Sequence, residues 1–220
     1  ARETPRPLRL LDCGCGTGAN LVWLRETGRA IGVDLAWRGL IHARRHARGP
    51  VARATATALP FPAGAFDVVA SFDMLQCLPP PAARAAIAEM ARVLRPGGWL
   101  VLTTAAFEWL RGDHSVLAHE VHRYRRGELA TLLEAHGFVV ARATYTHLPL
   151  LPILAPLRLL QRRRGLAASD TDWRAAIEIR TPPEPLNALA TVALLLEAAA
   201  ARLAPLPAGS SIAVLARKRG

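Results

Sequence analysis

The residues best suited to chemistry are an acidic residue and three glycines near the start of the chain. Asp12 ends a short apolar run, and Gly14, Gly16 and Gly18 follow at alternate positions before a helical pattern begins. Glycines let the backbone turn sharply and approach a ligand with no Cβ in the way. The N-terminus of the helix adds free N–H groups and a partial positive charge, which suit a carboxylate. Because Asp12 can accept hydrogen bonds from an ammonium or from the loop, the segment suits a ligand that carries both ends of an amino acid.

The same loop also fits the fingerprint of dinucleotide-binding proteins. Gly14, Gly16 and Ala19 spell G-x-G-x-x-A, and Asp34 ends the next predicted strand, where a carboxylate can bind a ribose. An acid at this position suits a dinucleotide and also a ligand that has a ribose together with the ammonium and carboxylate of an amino acid, so these residues alone leave both ligands open. Residues 58–69 and 92–98 are unlike a dehydrogenase and favour the ligand with the amino-acid end.

The hydrophobic pattern predicts which elements hold these residues. Short apolar segments alternate with segments of helical spacing, which predicts an α/β fold with a mostly parallel sheet and helices on both faces. Strands are predicted at 8–12, 30–34, 51–54, 66–72, 99–104, 138–146 and 211–217. Helices are predicted near 20–26, 37–44, 83–94, 129–136 and 186–203.

Four segments in this order resemble the class I S-adenosylmethionine-dependent methyltransferases. They are LDCGCGTG, IGVDLA, ALPFPAGAFDVV and RVLRPGGWLVLT, and the resemblance covers about residues 8–104. It implies a Rossmann-like sheet of seven strands whose last strand, at 211–217, is antiparallel. It also implies that residues 1–220 form a single methyltransferase domain that binds S-adenosyl-L-methionine.

The resemblance implies a set of cofactor-binding residues. Asp12 and the glycine loop would line the methionine end, Asp34 the ribose, and the end of the fourth strand the methyl group. Members of the family often have an Asp-Ala pair at the adenine, where this chain has Thr55-Ala56, so the adenine contact departs from the pattern. The full set is Asp12, Gly14, Cys15, Gly16, Gly18, Asp34, Leu35, Thr55, Ala56, Ser71 and Phe72.

The acceptor is expected to be a small or lipid-like molecule that is methylated at oxygen. The fourth strand lacks the Asn/Asp-Pro-Pro-Tyr/Phe signature of enzymes that methylate base amino groups. A hydroxyl acceptor needs a general base, for which His is the natural choice near neutral pH. His119, His122 and Tyr124 are the candidates. The alternative is that His119 and His122 are solvated loop residues or hold the loop by hydrogen bonds. No spacing of Cys and His predicts a metal site.

Two stretches, 107–126 and 147–185, are longer than plain connections in a compact domain, so we expect lids over the cleft. Residues 148–164 are apolar and then basic, and their prolines argue against a long amphipathic helix. We expect a hydrophobic lid over an apolar acceptor. The alternative is peripheral contact with an anionic membrane.

Composition excludes several classes of protein. A hydrophobic share of 51% with 20% charged residues excludes a disordered chain, and three cysteines cannot build a disulfide framework. No uninterrupted apolar run reaches about 18 residues, so no membrane-spanning helix is expected. No signal-peptide pattern opens the chain, so a reduced, cytoplasmic setting is the default expectation.

The net charge of +11 permits partners other than a small molecule. A basic surface attracts nucleic acid, so an RNA methyltransferase is one alternative function. The low aromatic content of 5% and the absence of a known RNA-binding module make nucleic acid the less favoured partner. The altered Thr55 keeps open a cofactor-binding protein without turnover, and the oligomeric state is left open.

Overall fold

The computed structural model describes residues 6–46, 48–166 and 183–220. Its centre is a seven-stranded sheet in the order β3-β2-β1-β4-β5-β7-β6. Strand β7 is antiparallel to both β5 and β6, and the other neighbouring pairs are parallel. The predicted fold class is therefore confirmed. The strands are β1 Leu8–Cys13, β2 Gly28–Asp34, β3 Val51–Arg53, β4 Phe66–Phe72, β5 Leu94–Ala105, β6 Phe138–Thr146 and β7 Ser211–Lys218.

Helices connect the strands. Short 3₁₀ turns lie at Leu75–Cys77, Glu108–Leu110 and Leu148–Leu150. The helices are α1 Ala19–Thr27, α2 Trp37–Arg45, α3 Pro80–Val93, α4 Asp113–Leu117, α5 Arg126–Ala135, α6 Leu151–Arg163 and α7 Leu186–Leu203.

The core forms where helices cover the middle of the sheet. On α3, Ala83, Ile87 and Met90 recur at helical spacing and are fully buried. In the same hydrophobic cluster, Val69 of β4 and Leu100 of β5 are also fully buried. Burial of this kind explains why the central strands have nearly continuous apolar sequences, as strands covered on both faces do.

Strand β5 begins earlier than the sequence predicts. The strand was predicted at 99–104, yet Leu94 already pairs with Phe66 of β4, and pairing resumes with Trp99 opposite Val68. The register shift absorbs the extra residues, and Gly97 takes the left-handed φ of 70° that this irregularity requires.

The two predicted insertions contain regular structure. Residues 148–164 were expected to be too rich in proline for a long helix, and this was wrong, because α6 runs from Leu151 to Arg163. Pro152 lies in the first turn, where a missing N–H costs no hydrogen bond, and Pro156 is tolerated inside the helix. Residues 167–182 of the second insertion lie outside the described residues.

Three arginines contact the buried carboxylate of Asp67 on β4. The buried carboxylate of Asp67 lies 2.8 Å from the Arg6 guanidinium and 2.7 Å from that of Arg95, and it accepts the Arg9 amide proton at 2.9 Å. Burial alone raises the pKa of Asp67, but the Arg9 amide, Arg95 and the charge of Arg6 outweigh burial and lower the pKa to about 2.

We predict that Asp67→Asn destabilises the protein at neutral pH. Because the pKa is depressed in the folded state, the stabilisation is present above about pH 4 and is lost as the pH falls towards 2. The arginines are partly exposed, so after screening the effect should be about 1–2 kcal/mol. Urea unfolding at pH 7 and pH 3 measures it, with Glu26→Gln, an exposed carboxylate on α1, as the control. Equal losses at both pH values would contradict the ionic origin.

Candidate active site

A cleft of about 110 Å³ lies where β1, β2 and β4 end. It brings together five of the residues predicted to bind the cofactor, from three separate segments of the chain. Its lining is Gly14, Val33, Asp34, Leu35, Ala54, Thr55, Ala56, Met74 and Leu78. Parallel strands end at one edge of the sheet, which is where open α/β sheets bind ligands.

The glycine loop forms one wall of this cleft. The three glycines, Gly14, Gly16 and Gly18, all have left-handed φ values, of 85°, 51° and 74°. The amides of Gly14 and Cys15 both donate to the carbonyl of Val33, at 2.8 and 3.0 Å, which fixes the loop to the end of β2. A Cβ at position 14 would lie 2.5 Å from the side chain of Met74. Because Gly14 has no Cβ, the Met74 side chain can approach the loop this closely.

Asp34 holds the loop and faces the cleft. One carboxylate oxygen accepts the Gly16 amide proton at 2.7 Å, and the other accepts that of Ala36 at 2.7 Å. A carboxylate has about four lone-pair sites, so each oxygen can take a second donor. The two hydroxyls of a ribose are a matching pair of donors.

Asp12 is buried and unpaired. Neither of its carboxylate oxygens has a hydrogen-bond partner among the described residues, so it does not bind the loop amides. Burial, and then the nearby charge of Asp34, raises the pKa of Asp12 to about 7. A buried carboxylate without a partner is costly, and an ammonium from a ligand would supply the missing partner. The residues present therefore fit a cofactor with an ammonium group.

Other residues of the predicted set lie around this cleft without lining it. Cys15 packs against the backbone of Gly32, where a Cβ would meet its sulfur at 2.6 Å, and burial raises the pKa of its thiol to about 12. Gly18 precedes the first residue of α1. Ser71 is fully buried with an unpaired hydroxyl, and the ring of Phe72 lies 5.6 Å from that of Trp23.

At the predicted adenine position, Thr55 is engaged within its own turn. Its hydroxyl lies 2.9 Å from that of Thr57 and accepts the Thr57 amide proton at 3.3 Å. The side chain has no negative charge, so recognition of an adenine amino group here depends on neutral acceptors.

A second cavity of about 310 Å³ adjoins the cleft. The segment Asp73–Leu78 separates the two, with Met74 and Leu78 on the cleft side and Asp73 and Gln76 on the other. The cavity is lined by Asp73, Gln76, Ala105, Leu110, His114, Ala118, Glu120, Arg123, His147, Leu154, Arg158, Ser210 and Ser211.

Titratable groups are concentrated in this second cavity. Burial raises the pKa of Asp73, while a hydrogen bond from the Thr103 hydroxyl at 3.3 Å and the nearby His147 and His114 oppose that rise. The negative charge of Glu120 adds to the rise in the pKa of Asp73. Two imidazoles and two carboxylates therefore share one small, partly enclosed space.

The three predicted bases do not line either cavity. Tyr124 is buried in the core, and its hydroxyl has no hydrogen-bond partner in the part of the chain that the structure describes. Burial, then the charge of Glu128, raises the pKa of Tyr124 to about 12. His122 lies 2.9 Å from the carboxylate of Glu128, and the His119 amide donates to the Val116 carbonyl at 3.1 Å. Their assignment as bases stays a prediction without support from position.

The sequence analysis missed His114 and His147 as imidazoles of the cavity. His147 directly follows β6, at the edge of the sheet where the other parallel strands end, and this was a usable signal. Its backbone has a left-handed φ of 64°, and its amide donates to Glu197 of α7 at 2.7 Å. His114 lies on α4, inside the predicted insertion at 107–126.

Residues 107–126 form one wall of the second cavity, and hydrogen bonds hold this wall in place. The carbonyl of Gln76 accepts the amide protons of Val121 and His122, at 2.8 and 3.1 Å. Arg123 is buried and forms an ion pair with Glu120 at 2.7 Å, with further bonds to the Ala106 carbonyl and the Ser115 hydroxyl. Because its donors are used in this way, Arg123 stabilises the wall.

Comparison with known proteins shows what the segment that carries the glycine loop is similar to. Residues 11–102 match the family model described as a methyltransferase domain. A ubiquinone biosynthesis O-methyltransferase of Thiobacillus denitrificans is 34% identical over 46% of this chain and 47% of its own length. A demethylmenaquinone methyltransferase of Thermus thermophilus is 41% identical over 44% of this chain and 46% of its own.

Solved structures show the same fold over a longer range. An S-adenosylmethionine-dependent methyltransferase from Mesorhizobium loti superposes with a TM-score of 0.60 at 19% identity, covering 98% of this chain and 94% of that one. The chain spans about half the length of the first curated relatives it matches, at 42%, 47% and 52%. Residues 11–102 are therefore similar to a methyltransferase domain, and the solved structure shows that the chain has the fold of an S-adenosylmethionine-dependent methyltransferase.

Proposed function

We propose that this protein transfers a methyl group from S-adenosyl-L-methionine to a hydroxyl oxygen of a small, lipid-like molecule, on the cytoplasmic side of the cell. The observation that carries the proposal is the pair of cavities on either side of Asp73–Leu78. One suits the cofactor, and the other offers imidazoles beside it. Relatives named as acting in ubiquinone and menaquinone synthesis support an acceptor of this chemical class.

In the glycine cleft, the protein binds and orients the cofactor. Asp34 takes the ribose hydroxyls while its bonds to Gly16 and Ala36 keep the loop in place. Asp12 takes the ammonium, and the α1 N-terminus faces the carboxylate. When bound, the cofactor supplies an electrophilic methyl group on a sulfonium. The protein then has only to align the acceptor and exclude water.

On the acceptor side, the protein must remove a proton from the hydroxyl. His147 and His114 are the candidates, because both line the cavity next to the Asp73 and Glu120 carboxylates. The Nδ1 atom of His147 lies 3.4 Å from the Thr146 hydroxyl, so a tautomer that donates there leaves Nε2 able to accept the proton. Leu110 and Leu154 provide apolar surface for the rest of the acceptor.

A lipid-like acceptor also gives a role to residues 148–164. In this proposal they contact a membrane peripherally as well as covering the acceptor cavity. Helix α6 places Leu154 and Arg158 on the cavity side and leaves Ile153, Leu157 and Leu160 exposed.

We predict that Asp34→Asn weakens binding of S-adenosylhomocysteine at least about tenfold. Each charge-assisted hydrogen bond to a buried group is worth roughly 1.5–3 kcal/mol, and the amide cannot accept as many donors. Calorimetry measures the affinity, with Glu26→Gln as control and circular dichroism to verify folding. Unchanged affinity would remove Asp34 from the site, and tighter binding of a nicotinamide dinucleotide would overturn the cofactor assignment.

A second prediction follows from the raised pKa of Asp12, which is about 7. Since an ammonium binds the ionised carboxylate, affinity for the cofactor product should rise about fivefold to tenfold from pH 6 to pH 7.5. The Asp12→Asn variant should bind more weakly at pH 7.5 and show little pH dependence.

The ligand-free protein provides an independent readout for Asp12. A carboxyl whose pKa is raised on folding loses stability as the pH rises from about 4 to 7. Asp12→Asn should therefore raise the melting temperature at pH 7.5. A lower melting temperature together with wild-type cofactor affinity would show that Asp12 serves the fold instead.

A third prediction concerns the base. With an alkyl catechol as probe acceptor, His147→Asn or His114→Asn should lower kcat by about 10²–10⁴-fold while cofactor affinity stays unchanged. His46→Asn, at an exposed position after α2, is the matched control. Full turnover in both cavity variants, with loss in His122→Asn, would return the role to the loop predicted from the sequence.

A further inference from the structure

The outer side of α7 is apolar and exposed to an unusual degree. Leu189, Leu195 and Leu196 are 67%, 66% and 67% exposed. By length and composition, this 18-residue helix with a mean hydropathy of 1.5 could cross a membrane, although the sequence analysis expected no such helix. We define the α7 outer face by its exposed large side chains: Leu186, Leu189, Val192, Leu195, Leu196 and Leu203.

The contacts of α7 show that it lies along the domain instead of leaving it. Glu197 is turned inward, and its two carboxylate oxygens accept the amide protons of His147 and Leu148, each at 2.7 Å. Strand β7 begins at Ser211, soon after the helix ends, and pairs with both β5 and β6. A crossing at α7 would break the Glu197 contacts and separate β7 from these partners. The helix is therefore placed to lie in an interface plane.

Exposed arginines lie at the C-terminal ends of both α7 and α6. Arg202 is exposed near the C-terminus of α7, and Arg142 donates to the carbonyls of Ala201 and Arg202. At the end of α6, Arg162, Arg163 and Arg164 are exposed. Glu184, before the helix, is the acidic neighbour on α7's N-terminal side. Exposed apolar helices that end in arginine suit the acyl and headgroup layers of an anionic membrane.

The charge also decides between a membrane and a second copy of the chain as occupant. Two copies would each bring a net charge of +11, and joining them through α7 would place the exposed Arg202 of both copies in one interface. Like charges brought together at an interface oppose association. An anionic lipid surface attracts the same arginines, and its acyl layer buries the exposed leucines.

The face is also connected to the acceptor cavity. Glu197 on the inner side of α7 holds the backbone of His147, and His147 lines the cavity together with Leu154 of α6. Both α6 and α7 contact the turn at Leu148–Leu150. A surface that binds lipid would thus lie beside the cavity that takes a lipid-like acceptor.

We propose that the α7 outer face, assisted by the exposed leucines of α6, binds the surface of an anionic membrane and that the acceptor enters the second cavity from there. The entry step rests on the proposed function, whereas membrane binding does not. An interfacial helix gains affinity from buried leucines and from arginines near acidic headgroups, so both contributions can be removed separately.

The test is flotation of the full chain with vesicles of phosphatidylcholine alone or mixed with phosphatidylglycerol. The wild type should float with the mixed vesicles and bind less as salt increases. Leu189→Glu combined with Leu195→Glu should weaken binding at least tenfold, and Leu189→Ser with Leu195→Ser should weaken it less. Val22→Glu makes the same change on the exposed side of α1 and should bind like the wild type. Arg163→Gln with Arg202→Gln should reduce only the preference for anionic lipid.

Each outcome decides the proposal. Failure of the wild type to bind either vesicle, or unchanged binding of the leucine variant, overturns it. A dimer of the wild type that the leucine variant converts to a monomer, with no vesicle binding, assigns the face to a second copy. Calorimetry with S-adenosylhomocysteine should give wild-type affinity in every variant. Vesicle binding without turnover of any catechol would overturn the proposed function while leaving membrane binding in place.

Discussion

The site depends on one carboxylate between two backbone amides. Asp34 accepts protons from Gly16 and Ala36, and in doing so it ties the glycine loop to the segment that follows β2. The amides of Gly14 and Cys15 reinforce this link through the carbonyl of Val33. With the loop fixed, α1 begins in the right direction, Met74 closes against Gly14, and Asp12 is left buried without a hydrogen-bond partner among the described residues. Contacts within the chain therefore organise the glycine cleft.

The segment Asp73–Leu78 lies between this cleft and the second cavity. Asp73 and Gln76 line the cavity, and Met74 and Leu78 line the cleft. Gln76 holds both β5, through the Ala105 amide at 2.8 Å, and residues 107–126, through the Val121 amide. Methyl transfer requires the two substrates to meet at a fixed distance and angle. In the proposed reaction, this hydrogen-bonded segment after β4 fixes the positions of the cleft and the cavity relative to each other.

The sequence predicted the sheet well because local patterns determine most of it. The bounds of β6 and α7 agree with the structure, and the motif residues of the cofactor cleft lie in consecutive segments. The second cavity was harder to predict, because His114 and His147 come from separate elements of the chain and line one cavity only in the folded structure. The prolines of residues 148–164 argued against a long helix, yet α6 forms, since Pro152 lies in a first turn that tolerates it.

If the glycine cleft holds S-adenosyl-L-methionine beside the second cavity, the cofactor product should protect the residues that line the cleft. Hydrogen exchange of the full chain with and without S-adenosylhomocysteine measures this. We expect protection of the amides from Gly14 to Gly18, at Ala36, at Ala56 and in Asp73–Leu78, with little change in β6. Protection by a nicotinamide dinucleotide alone, or no protection by S-adenosylhomocysteine at the glycine loop, would contradict it.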